Sequence, residues 1–164
     1  MPGGHLSSGK AFVCLDRRLD QAKSGPLWLK RGDVAQIVVT SIELGEQLGH
    51  YRLDSYVIMR NHVHLLIWPE IAPDRLLKSL KGATAREANR LLDRTGETFW
   101  QKESYDHWVR DSAELAKIRR YIAQNPVTAG VVAAAGEYPW SSAGVETSLD
   151  AARKSACATQ SPSA

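Results

Sequence analysis

The sequence predicts an α+β domain in which an antiparallel sheet carries helices on one face, with an extra helix at the C-terminal end. Three observations predict it. Two short runs alternate apolar residues at period two and are separated by a tight Arg60-Asn61 joint, as in a β-hairpin. Longer segments on either side repeat apolar residues at helical spacing. The runs also follow one another as strand, helix, strand, strand, helix, strand and a further helix, an order that stacks helices on an antiparallel sheet.

The elements read as follows. "AFVCL", Ala11 to Leu15, is a short strand. "DVAQIVVTSIELGEQL" is a helix opened by an Asp33 cap, with Val34, Ile37, Val38, Ile42 and Leu48 near helical spacing. "YRLDSYVIM" and "HVHLLIW" are the hairpin strands. After Pro69 and Pro73, "DRLLKSLKGATAREANRLLDR" is a helix whose apolar stripe is Leu77, Leu80, Thr84, Ala88 and Leu91. Lys78, Lys81, Arg86 and Arg90 lie off that stripe, and Gly96 ends the segment. "TFWQ" is expected as the next short strand and "ESYDHWVR" as irregular or extended chain. In "DSAELAKIRRYIAQNP", Asp111 and Glu114 form a capping box and Pro126 is expected to stop the helix. Through the sixth element this is the ferredoxin-like split arrangement.

The 164 residues suffice for one domain with a real core, and 43% hydrophobic against 24% charged residues is an ordinary globular balance. The ends are small, polar and aperiodic, so the expected organisation is disorder at 1–10 and 143–164 around a folded domain at 11–142. No apolar run approaches the roughly 20 residues of a membrane span, and "MPGGHLSSGK" lacks a signal peptide's apolar stretch. With Cys14 and Cys157 as the cysteines, neither a disulfide framework nor a cysteine zinc site is supported, and a reducing cytoplasmic compartment is expected. A formal net charge of +3 and a pI near 8.9 permit a nucleic-acid partner without requiring one. Bases concentrate between Arg75 and Arg94, whereas acids gather at Glu43, Glu46 and Asp54.

Two places carry candidate chemistry. In "RNHVHLLIW", alternation puts His62 and His64 on one face with Leu66 and Trp68, and Val63, Leu65 and Ile67 on the other. Residues two apart lie roughly 7 Å apart along a strand, close enough for two imidazoles to share one ion. Two readings stand: buried histidines satisfied by hydrogen bonds, or a ligand pair. His5, His50 and His107 show no spacing that supplies a third strong zinc ligand.

In "RRYIAQNP", Tyr121 and Asn125 are four apart and share a helix face. Leu115, Ile118 and Ile122 form the apolar stripe beside Tyr121, and Lys117, Arg119 and Arg120 surround it with positive charge. One reading is an amphipathic tyrosine at the core's edge and an asparagine that caps the helix. The other joins this helix to the histidines. Two imidazoles and an amide oxygen then hold Mg²⁺ or Mn²⁺ beside a scissile phosphate, and guanidinium groups hold the phosphates around it.

"SYVIMRNHVHLLIWPE", "LKSLKGATAREANRLL", "FWQKESYDHWVRD" and "YIAQNPVTAGVV" followed by "YPWSS" occur in that order. Together they resemble the REP-associated tyrosine transposases, a branch of the single-tyrosine HUH (IS200-like) transposases, from about Tyr51 to Ser142. The resemblance implies a metal-dependent endonuclease and strand-transferase of single-stranded or hairpin-forming DNA that works through a 5′-phosphotyrosine. It places the nucleophile on Tyr121, with Tyr105 of "ESYDH" as the rival. It places the Mg²⁺ or Mn²⁺ ligands on His62, His64 and Asn125, with Gln124 competing for the third position. Lys78, Lys81, Arg86, Arg90, Arg110, Arg119 and Arg120 are the expected DNA contacts, and Trp100, Trp108 and Trp140 the candidate stacking platforms. The protein is then nucleoid-associated when bound to DNA, and a monomer or homodimer. Arg60 stands where the family usually has proline, and the first fifty residues match less clearly. Two alternatives of other classes are a domesticated binding module of the same fold and a metal-dependent hydrolase without a covalent intermediate.

Overall fold

The computed structural model describes residues 10–15, 26–101 and 105–144. The ends expected to be disordered lie almost entirely outside those residues. Four strands, β1 (Phe12–Leu15), β2 (Tyr51–Ile58), β3 (Val63–Pro69) and β4 (Tyr105–Trp108), form one sheet in the order β2-β3-β1-β4. Every pairing is antiparallel, as the ferredoxin-like order requires. The α-helices among the described residues are α1 (Gly32–Gln47), α2 (Pro73–Leu91) and α3 (Ser112–Thr128).

Alternation along the strands divides the interior in two. Phe12, Tyr56, Ile58, Leu65 and Ile67 pack with Val34, Val38 and Ile42 of α1 and Leu76, Leu77 and Ala88 of α2. Val13, Val57 and Leu66 face the other way and pack with Ile118 and Ile122 of α3. Two helices therefore cover one face, as expected, and the extra helix covers the other. The "YPWSS" segment returns to β2: Ile58 donates its N–H to the carbonyl of Trp140 at 2.8 Å, and Tyr56 donates to Ser142 Oγ at 3.1 Å. That contact shields the free side of an edge strand.

Four local expectations change. "TFWQ" is not a strand, because its aromatic side chains are committed to packing beside α2. Phe99 stacks on Trp28 with centroids 5.2 Å apart, and Trp100 Nε1 donates to Thr84 Oγ1 at 2.8 Å. The fourth strand falls instead on Tyr105–Trp108. Pro126 does not stop α3 but lies inside it, buried, with the chain helical to Thr128. The turn beyond it closes because Ala129 donates to Asn125 and Val131 to Pro126, both at 2.9 Å, and Gly130 at φ +68° provides the left-handed exit. Asp33 is not the cap of α1. Arg31 occupies that position without a side-chain cap bond, and Asp33 sits in the first turn, paired to Arg31 at 2.7 Å. Leu48 and Leu91, assigned to apolar stripes, are 61% and 41% exposed at the helix ends, beyond the cover of the sheet.

Gly45 of α1 sets how closely the helix approaches β2. A Cβ there would lie 2.5 Å from the hydroxyl of Tyr51, which is buried and donates to the carbonyl of Ile42. Alanine normally gains about 1 kcal/mol over glycine inside a helix. Here the overlap dominates, so Gly45→Ala is expected to destabilise by about 1–3 kcal/mol. A lowered urea midpoint with an unchanged m-value is the check; an unchanged or raised midpoint counts against it.

Candidate active site

The tight turn at Arg60-Asn61 positions the histidines. Met59 donates its N–H to the carbonyl of His62 at 2.8 Å, and β3 begins at the next residue. His62 and His64 both turn to the α3 face, are 5% and 0% exposed, and lie with ring centroids 4.7 Å apart. His62 Nδ1 meets Asn61 Oδ1 at 2.7 Å. The amide oxygen that faces the ring can only accept, so this contact selects the tautomer in which Nδ1 donates. Such a bond is how metal-ligating imidazoles are usually oriented.

The opposite wall is α3. Its first turn is fixed by the Asp111 side chain, which accepts from the Glu114 N–H at 2.8 Å. Glu114 accepts in turn from the backbone N–H of Arg110 at 2.7 Å and from its guanidinium at 3.1 Å. These hydrogen bonds hold the Glu114 carboxyl down at about 2. Ile118 and Ile122 enter the core, which leaves Tyr121 half-buried beside them and Asn125 buried one turn on. The ring of Tyr121 lies 5.3 Å from that of His64, and Asn125 Nδ2 lies 3.2 Å from His64 Nε2.

His62, His64, Tyr121 and Asn125, gathered from a hairpin and a helix some sixty residues later, thus form one cluster. Gln124 is exposed. Among the described residues no group of three His, Cys, Asp or Glu side chains is placed to hold a metal ion. A cation at this cluster therefore depends on the asparagine amide as third donor, which presents its oxygen once rotated about its last torsion. The residues fit that demand: two imidazoles on one face, one oriented by Asn61, and an amide against the second.

The other expected residues are more scattered. Lys78, Arg86 and Arg90 are exposed and Lys81 half-buried, on a helix that covers the sheet face opposite the histidines. Arg110 is 82% exposed and paired with Glu114, and Lys117 and Arg120 are exposed on α3. Arg119 is bound to Asp54, its Nε at 2.8 Å and Nη2 at 2.5 Å from the carboxylate. Burial alone would push the Asp54 carboxyl up, but the hydrogen bonds from Arg119 and Trp68 outweigh it and hold it below the usual range.

Trp100 and Trp140 are half-buried against the cores, while Trp108 is 37% exposed and meets Phe12 edge-on. His107 pairs with Glu114 at 3.3 Å, and the carbonyl of His50 accepts from Glu70 at the far end of β3. Neither joins the histidine pair; His5 lies outside the described residues. Tyr105 opens β4 opposite Leu15, and its side chain is outside the described part. Sequence reasoning missed Asn61 and Asp54. The signal for Asp54 was a charged residue between Leu53 and Tyr56, two core-facing positions three apart where strict alternation would make them two.

The sheet and helix bring a histidine pair against a tyrosine and an amide, and comparison with known proteins specifies the class of protein. A family model described as "Transposase IS200 like" matches residues 31–125, more than half of the chain and the whole cluster. The chain belongs to the IS200-like transposase family, a family of transposases acting on DNA. The match begins upstream of the stretch that carried the sequence resemblance, so α1 belongs to the common domain. A solved structure described as "Structure of the REP associates tyrosine transposase bound to a REP hairpin" is similar over 86% of this chain and 80% of that one, with a TM-score of 0.58 and 19% identity. At that identity the likeness concerns the fold. No curated protein matches the chain. No helix among the described residues is long and apolar enough to cross a membrane.

Proposed function

We propose that the protein cleaves and rejoins single-stranded DNA through a covalent bond to Tyr121. The observation that carries this reading is the meeting of Tyr121 and Asn125 with His62 and His64. The Tyr121 oxygen attacks a phosphodiester in line and loses its proton to solvent. The bond from phosphorus to the 3′ oxygen breaks, and that oxygen takes up a proton, which leaves a 5′-phosphotyrosine and a free 3′-hydroxyl. A new 3′-hydroxyl reverses the step and rejoins strands, and because one phosphoester replaces another no ATP is needed.

His62, His64 and Asn125 are the residues that would hold Mg²⁺ or Mn²⁺. A tyrosine hydroxyl has a pKa near 10 and is a poor nucleophile alone, and the bound cation would withdraw charge from the phosphoryl oxygens. Asn61 hydrogen-bonds the His62 ring, and the burial of both imidazoles limits water around them. Arg110 and Arg120, on the same side of the sheet as the cluster, are proposed to hold flanking phosphates. Lys78, Lys81, Arg86 and Arg90 serve DNA that reaches the opposite face, as the arm of a folded hairpin can. The similar structure bound to a REP hairpin supports hairpin DNA as substrate.

The test is incubation with Mn²⁺ and labelled hairpin oligonucleotides bearing single-stranded flanks, followed by denaturing electrophoresis. A protein–DNA adduct that survives denaturation is expected. Binding without adduct across varied oligonucleotides would instead show a non-catalytic module, and cleavage without adduct a hydrolase.

A further inference from the structure

Asp54 interrupts the pairing of β2. Leu53 stands opposite Ile67 and Ser55 opposite Leu66, so Asp54 is the extra residue of a β-bulge. Leu53 packs into the α1/α2 core and the Asp54 carboxylate points the other way, to α3; the bulge lets Ser55 follow it to that side and returns Tyr56 and Ile58 to the face of Leu53. That carboxylate is 7% exposed and takes both arms of the Arg119 guanidinium, at 2.8 and 2.5 Å. It also accepts from Trp68 Nε1 at 3.2 Å. Trp68 lies on the strand of the histidines, with the Arg52 guanidinium 5.2 Å from its ring centroid. Arg119 precedes Tyr121 by two residues. One carboxylate therefore ties together β2, the histidine strand and the tyrosine helix.

Elsewhere α3 meets the sheet through the apolar contacts of Ile118, Ile122 and their neighbours and through two single-point polar contacts, Asn125 with His64 at 3.2 Å and Glu114 with His107 at 3.3 Å. Apolar contact is non-directional and tolerates a helix that slides or turns by a fraction of a residue. A two-pronged guanidinium–carboxylate pair fixes both position and rotation. We propose that Asp54, acting through Arg119, is a positioning residue that sets the rotation of α3 and so holds the Tyr121 hydroxyl over the histidine pair. This inference rests on the role given above to Tyr121. It removes Arg119 from the phosphate-binding set, because its fork is spent on a buried carboxylate, whereas Arg110, also paired to an acid, is 82% exposed.

The test uses the full chain with Asp54→Asn, Arg119→Met, Arg119→Lys and the double variant Asp54→Asn/Arg119→Met. The nuclear Overhauser contact between the His64 and Tyr121 rings is measured without DNA or metal. Adduct rate at saturating oligonucleotide and the salt dependence of DNA affinity are measured beside it. Expected are a weakened ring contact and an adduct rate lower by on the order of tenfold to a hundredfold in Asp54→Asn and Arg119→Met. The double variant should fall within about threefold of either single one, since both break the same link. Affinity and its salt slope stay at the wild-type value, and Arg119→Lys, which keeps the charge and guards against loss of folding, recovers part of the rate. The proposal is overturned if Asp54→Asn keeps the ring contact and the rate while Arg119→Met weakens DNA binding and lowers the salt slope by about one, the mark of a phosphate contact. Should the wild type form no adduct, the catalytic reading of Tyr121 fails by itself. The ring contact then still decides whether Asp54 orients the helix, and its persistence in Asp54→Asn overturns the proposal.

Discussion

Tyr121→Phe is expected to abolish the covalent protein–DNA adduct, a loss of on the order of 10³-fold or more, while DNA affinity changes by less than about threefold. The substitution removes one oxygen and keeps the ring that packs 5.3 Å from His64. A hydroxyl that serves merely as the wet tip of an amphipathic side chain would leave the adduct intact when removed. Tyr105→Phe is the paired control and is expected to leave adduct formation unchanged. Peptide mapping of the wild-type adduct identifies the modified tyrosine independently. Adduct retained in Tyr121→Phe and lost in Tyr105→Phe would move the chemistry to the edge strand.

The second large effect concerns the imidazoles. His64 is fully buried against Asn125 and Tyr121, so its replacement both deletes a proposed ligand and leaves a gap. His64→Gln, which keeps polarity and much of the volume, is therefore the better variant. It is expected to raise the Mn²⁺ concentration that half-saturates adduct formation by about 100-fold or more, with a melting temperature close to that of the wild type. His62→Gln should act in the same direction. A chelator should remove wild-type activity, and added Mn²⁺ should restore it. Unchanged metal dependence in both variants would show that the two histidines are structural, held by the hydrogen bonds they make in the core.

Much of this architecture is visible in the residue pattern because alternation and helical spacing are local properties. The hairpin follows from two alternating runs around Arg60-Asn61, and that alternation alone places His62 and His64 on one face. The four-residue step from Tyr121 to Asn125 likewise places both on one side of α3. What the pattern could not supply were decisions taken by tertiary contact. Phe99 and Trp100 have strand-like propensity, but their rings pack beside Trp28 and Thr84. Pro126 reads as a stop, yet carbonyls on either side of it find donors beyond it and a glycine ends the helix later. Asp54 reads as a polar strand residue, and that it faces α3 while Tyr56 and Ile58 keep to the side of Leu53 depends on a bulge whose register is set by β3. The basic helix was legible as basic, but not that it covers the sheet face away from the histidines.

Manganese titration followed by nuclear magnetic resonance addresses the shared site most directly, because the ion's paramagnetism broadens nearby resonances. The expected result is that His62, His64, Asn125 and Tyr121 broaden together at substoichiometric Mn²⁺ while His50 and His107 remain sharp. Broadening centred on His50 or His107, with the hairpin histidines untouched, would contradict a cation and a phenol oxygen acting on the same phosphate.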